Sequence, residues 1–155
     1  MNLESKITTA LKEAMKNKNQ DALTALRSVK SAILLHKTQK SSTVELSHED
    51  EMKILQKLVK QRKDSADIYK SKGRNDLADP ELKEAELIQQ FLPKALSEEE
   101  VRKIVKSIID ETGADGIKDM GKVMGISTNK LVGKADGKMI STIVREFLSW
   151  KKKAQ

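Results

Sequence analysis

The chain has 155 residues, enough for one compact core or two small ones, and its 37% hydrophobic against 34% charged residues distinguish it from a disordered polymer. It contains no cysteine, which excludes disulfides, thiolate nucleophiles and cysteine-ligated zinc. The net charge of +7 is segregated, with nine Lys or Arg against three acids in residues 118–155 and eight against two in residues 53–74, a distribution that suits a polyanion-binding surface.

Leu, Ile, Lys, Glu and Ala dominate, the aromatics are only Tyr69, Phe91, Phe147 and Trp150, and 7 glycines and 2 prolines leave little turn punctuation. The expectation is an all-α fold. The first helix runs from about Leu3 to Lys16, with Leu3, Ile7, Leu11 and Ala14 or Met15 at helical spacing. After a break at Asn17 to Gln20, Asp21 is placed to cap a second helix whose Ala22, Ala25, Leu26, Val29 and Ile33 share a face. That helix should fade over Gln39 to Thr43. Ser47 opens a third helix that reaches Ser71, with Gly73 as its stop. A fourth spans about Asp76 to Leu92, with Pro80 near its first turn and Pro93 ending it.

Ser97 followed by Glu100 is a capping box for a fifth helix, buried through Val101, Ile104, Val105, Ile108 and Ile109 and closed by Gly113. A sixth spans about Lys118 to Val132. A seventh spans about Asp136 to Trp150, with Met139, Ile140, Ile143, Val144, Phe147 and Leu148 inward. The expected organisation is a four-helix N-terminal domain, residues 1–93, a three-helix C-terminal domain, residues 94–150, and a basic tail, residues 151–155. The N-terminal stretch has no continuous apolar run, so neither a signal peptide nor a membrane anchor is expected, and a cytosolic location is the default.

No catalytic site, metal site or cofactor is expected. His36 and His48 lack a second ligand at metal spacing, and no phosphate-binding Gly-rich loop, GxSxG or HExxH motif occurs. Arg62 falls at the centre of the third helix's apolar arc, among Leu55, Leu58, Val59, Ala66 and Tyr69. A hairpin about Gly73 to Asn75 would bring Glu84 opposite it as an ion-pair partner; the alternative is that Arg62 lays its stem on the core and reaches a backbone or solvent-side oxygen.

In the sixth helix, Gly121 and Gly125 each cost about 1 kcal/mol relative to alanine. Gly121 is expected to let a neighbouring helix approach. Gly125 falls outward between Lys118, Lys122 and Asn129 and suits close approach of a ribose-phosphate strand. Gly133 suits a left-handed C-terminal cap, and Asp136 the N-cap of the seventh helix, its carboxylate accepting from the amides of Lys138 or Met139. Lys134 and Lys138 are the anion contacts expected at this turn.

Leu26-Arg27 with Lys30-Ser31-Ala32-Ile33, Gln61-Arg62-Lys63-Asp64-Ser65 through Gly73-Arg74-Asn75-Asp76-Leu77, Glu84 through Pro93, and Met120-Gly121-Lys122-Val123-Met124-Gly125 through Gly137 together resemble the GatB/YqeY family. The chain is similar to free-standing YqeY-like proteins over nearly its whole length. Roughly its final 60 residues resemble the tail of GatB, the B-type subunit of the tRNA-dependent Asp/Glu amidotransferase. The resemblance implies a two-part helical fold and a tail that helps hold tRNA while a glutamine-dependent carbon–nitrogen ligase complex does the chemistry elsewhere. The expected function is therefore tRNA binding or handling, through Lys118, Lys122, Gly125, Lys130, Lys134 and Lys138. The alternative is a protein-interaction module that docks on an amidotransferase or another partner through the rim near Phe147 and Trp150.

Overall fold

A computed structural model describes residues 2–39 and 45–154, the side chains of 151–154 excepted. Among the described residues there are seven α-helices, one 3-10 turn and no strand. They fall into two compact units, Met1–Leu92 and Pro93–Gln155.

The first unit holds α1 (Leu3–Lys16), α2 (Gln20–Gln39), α3 (His48–Ser71) and α4 (Asn75–Gln89). α1 packs on α2, α3 forms a hairpin with α4, and α2 contacts all three of the others. The inward stripes are those that the periodicity marks: Ile7 and Leu11 from α1, Leu26, Val29 and Ile33 from α2, Leu55, Val59 and Ala66 from α3. At the end of α1 it is Ala14 that is buried, and Met15 stands in solvent.

The helix ends follow local hydrogen-bond chemistry. Asn2 and Ser47 accept from the amides of Ser5 and Asp50 and so cap α1 and α3. The first-turn amide of Leu3 donates across the unit to Glu51 Oε2 of α3 at 2.6 Å. Gly73, at φ 72, closes α3 with Gly73 N donating to Lys70 O and Arg74 N to Tyr69 O, the paired bonds of a Schellman turn. The cap of α2 is Asn19, not Asp21: the Asn19 side chain accepts from Ala22 N at 3.1 Å, which starts the helix two residues earlier. α4 ends at Gln89, short of Leu92, because the amides of Phe91 and Leu92 turn back to Ile88 O and Gln89 O in tighter i→i+3 bonds ahead of Pro93. With α4 starting at Asn75, Pro80 is its sixth residue, so the Asp76 carbonyl receives no amide from position 80. The expected fading of α2 through Thr43 lies, beyond Gln39, outside the described residues.

The second unit holds α5 (Glu98–Thr112), a 3-10 turn (Ile117–Asp119), α6 (Met120–Lys130) and α7 (Gly137–Ala154). Ser97 and Glu100 make both bonds of the capping box, and Gly113 caps α5 at φ 68. Its core is one cluster of Val101, Val105, Ile108, Val123, Leu131, Ile140, Ile143, Val144 and Leu148, among others. The segment expected as one helix from Lys118 to Val132 is instead a 3-10 turn followed by a shorter helix, and α7 runs past Trp150 to Ala154. The side chains of the basic tail lie outside the described residues.

Candidate nucleic-acid interface

α6 turns its apolar side, Val123 with half-buried Met120 and Met124, into the core and leaves its opposite side to solvent. Lys118, Gly121, Lys122, Gly125 and Asn129 are all exposed there. Positions 122, 125 and 129 recur at spacings of three and four, one stripe of α6, and Lys118 stands in the 3-10 turn just before it. A Cβ added at Gly121 or at Gly125 would meet nothing within 4 Å. For Gly125 this is the outward position expected. For Gly121 it removes the expected reason: no neighbouring helix approaches among the described residues, so the two glycines together leave bare backbone beside Lys118 and Lys122.

The other lysines are arranged differently. Lys130 is exposed but lies about 80° round the helix from Lys122, off the stripe. Lys134 and Lys138 belong to the turn into α7, at the far end of α6 from Lys118, about 16 Å of helix away. That turn is held by Gly133, buried at φ 78, by Lys134 N and Ala135 N donating to Leu131 O, and by Leu96 N donating to Lys134 O at 2.9 Å. Asp136 accepts from Ile140 N through its backbone carbonyl, which is the first bond of α7. Its carboxylate makes no bond to the Lys138 or Met139 amides, so the expected side-chain cap is not formed.

Electrostatically, Lys118, Lys122, Lys130, Lys134 and Lys138 are exposed and none has an ion-pair partner among the described residues. Some acids of this unit are engaged elsewhere. Arg102 reaches Glu98 at 2.8 Å and Glu146 at 2.9 Å, and these hydrogen bonds, Glu98 first, hold its guanidinium above the usual arginine range. Asp119 Oδ2 accepts from Asp115 N. Five exposed lysines without an ion-pair partner among the described residues thus lie along α6 and the turns at its two ends, and α6 itself carries two side-chain-free positions.

In the first unit, Arg62 and Glu84 meet at 3.2 Å with side chains 15% and 22% exposed, and Arg62 Nη1 also donates to Leu58 O at 3.1 Å. His36 Nε2 lies 3.7 Å from Asp50 Oδ2. No group of three or more His, Cys, Asp or Glu able to hold a metal occurs among the described residues. An open groove of about 420 Å³ between α3 and α4 is lined by Lys63, Leu82, Ala85, Glu86, Gln89 and Gln90. No described helix is long and apolar enough to cross a membrane. The α6 stripe was legible in helical spacing; the engagement of Glu146 by Arg102 has no sequence signal.

Comparison with known proteins gives the family context. A family model described as "Yqey-like protein" matches residues 4–148. The chain is 35% identical over 116 residues to "Altered inheritance of mitochondria protein 41, mitochondrial" of Clavispora lusitaniae, a match covering 73% of this chain and 66% of that protein. It is 27% identical over 145 residues to the protein of the same name from Pyrenophora tritici-repentis, covering 91% and 78%. It is also 39% identical over 70 residues to the E-type subunit of glutamyl-tRNA(Gln) amidotransferase from Thermococcus gammatolerans, covering 43% of this chain and 11% of that protein. This partial match is consistent with the amidotransferase-tail resemblance that the sequence motifs carry. The expected cytosolic location does not stand, because two relatives that match most of the chain are mitochondrial proteins by name; the lack of an apolar run at the N-terminus was no measure of location.

Proposed function

The chain belongs to the Yqey-like protein family, and from that membership we propose that it is an accessory protein that binds structured RNA, tRNA foremost, with no catalytic site of its own. The observation that carries this reading is the set of five exposed lysines without ion-pair partners among the described residues, Lys118 and Lys122 near the two bare glycines of α6 and Lys130, Lys134 and Lys138 toward its other end. Free lysines release condensed counterions when they meet phosphates, and a helix surface without Cβ atoms lets a ribose-phosphate strand come close to the backbone. The partial likeness to a component of a tRNA amidotransferase supports tRNA as the RNA.

Binding of tRNA and of a duplex DNA at two salt concentrations tests the proposal. Engagement of about five phosphates gives a slope near −4 in log affinity against log salt, so fourfold more salt weakens binding by a few hundredfold. Affinity for tRNA that ignores salt, or its absence, overturns it. Docking on an amidotransferase or another protein is the competing reading, and RNA-independent association that persists after Lys118 and Lys122 are neutralised would favour it.

A further inference from the structure

The second unit completes its core without its only tryptophan. Ile140, Ile143, Val144 and Leu148 of α7 are buried, Phe147 is half-buried, and Trp150 is 69% exposed. An indole adds a large flat apolar surface, and this one contributes little to the core that the unit already has.

Its place in the unit gives it a neighbourhood. α6 and α7 pack on each other, joined by the short turn at 131–136, so they run in opposite directions. α6 is about 16 Å long, and the same rise measured along α7 from Gly137 reaches about residue 147. The 3-10 turn that carries Lys118 packs against α7, so Lys118 and Trp150 lie at the same end of the unit. The acid one turn before Trp150 is Glu146, and its charge is already engaged by Arg102 at 2.9 Å. In sequence Trp150 is followed by Lys151, Lys152 and Lys153. An exposed aromatic face in so basic a stretch complements a ligand that is itself aromatic and anionic.

We infer that Trp150 is a stacking platform for an unpaired nucleobase of the bound RNA. This rests on the RNA-binding reading above and adds to it a preference for RNA that carries a single-stranded segment. Stacking on an aromatic side chain is tolerant of base identity, so the preference is for unpaired structure rather than for sequence. A blunt duplex, whose bases are stacked internally, would meet the lysines without using the indole.

Because Trp150 is the only tryptophan, its emission reports directly. The probes are a tRNA, a blunt RNA hairpin whose strands are joined by a non-nucleotide linker so that it has no unpaired base, and the same hairpin with an unpaired tail. The tRNA and the tailed hairpin should quench Trp150 emission, and the blunt hairpin should leave it nearly unchanged. Trp150→Ala should weaken binding of the tailed hairpin and the tRNA by roughly five- to a hundredfold, with Trp150→Phe restoring much of it and the salt slope unaltered. The thermal melt should not move. If Trp150→Ala binds every probe as the parent does while Lys118→Gln and Lys122→Gln weaken all of them, the stacking role is wrong and the RNA-binding reading stands. If the parent binds none of the probes, the RNA-binding reading itself falls. A Trp150→Ala variant with a lowered melt and equal losses on blunt and tailed hairpins also overturns the inference, because it makes the indole a structural group.

Discussion

Arg62 of α3 and Glu84 of α4 close the hairpin between these helices with a 3.2 Å ion pair while the same guanidinium donates to the Leu58 carbonyl at 3.1 Å. The two readings that the sequence left open for Arg62, a carboxylate partner or a backbone oxygen, are both satisfied, by different nitrogens of one fork. The charge sits beside the apolar stripe of α3 and is not left alone there.

Removing the carboxylate leaves that arginine with only a carbonyl. Glu84→Ala should lower stability by about 1–3 kcal/mol, below the loss for a fully buried pair because both side chains keep some solvent contact. Arg62→Met with Glu84→Leu should recover much of the loss, since the double variant removes both charges together. Urea midpoints of the three proteins decide; an unchanged midpoint for Glu84→Ala means the pair does not hold the hairpin.

Three glycines of the second unit should respond with opposite signs. At Gly121 and Gly125 an added methyl meets nothing within 4 Å, so Gly121→Ala and Gly125→Ala should each stabilise by about 0.5–1 kcal/mol through helix propensity. At Gly113, φ 68 forces alanine into the left-handed region, and Gly113→Ala should cost about 1 kcal/mol. Thermal melts check all three. Gly125→Leu should keep the fold and lose RNA affinity, which would show the glycine retained for contact rather than stability.

Most of this architecture is written in local patterns. Ser47, Ser97 with Glu100, Gly73 and Gly113 mark helix ends because capping chemistry acts over three or four residues, the range that a sequence displays. Competition between neighbouring caps is harder to read: Asn19 and Asp21 are both good N-caps, and Asn19 wins. The 3-10 turn at Ile117–Asp119 was invisible because the apolar spacing continues through it. In the interface, the stripe of α6 follows from spacing alone. The lack of a helix against Gly121, the missing carboxylate cap at Asp136 and the capture of Glu146 by Arg102 depend on tertiary placement, which no local pattern encodes.

Ser127 is wholly buried on the inner side of α6, and its hydroxyl has no hydrogen-bond partner among the described residues. Burying an unsatisfied hydroxyl is unfavourable, whereas alanine fits the same volume without it. Ser127→Ala should therefore raise stability, by up to about 1 kcal/mol with the gain in helix propensity included. A lowered denaturation midpoint would mean that the hydroxyl has a stabilising role.

Arg74 holds Asp76 through two bonds, Nε to Oδ1 at 3.0 Å and Nη2 to Oδ2 at 2.9 Å. The hydrogen bond from Arg74, aided by the Asp76 and Leu77 amides, lowers the Asp76 carboxyl below its ordinary value of 3.8. A depressed folded value means that the pair contributes above the unfolded carboxyl value and is lost as pH falls through the folded one. Both side chains are exposed, so solvent screening keeps the effect on stability small. In an NMR titration the Asp76 midpoint should rise in Arg74→Gln, while the denaturation midpoint at pH 7 stays in place.

The lysines of α6 should not be equivalent. Lys122 precedes Gly125 on the outward stripe, with Lys118 in the 3-10 turn just before α6, whereas Lys130 lies about 80° round from Lys122. A strand following the stripe would meet the first two at close range and Lys130 only at its margin. Lys122→Gln should then reduce tRNA affinity several-fold at moderate salt and lower the salt slope by about one. Lys130→Gln should change both by much less. Equal losses at the two positions would mean that binding responds to the overall charge of this unit, and that the stripe has no register for a phosphate strand.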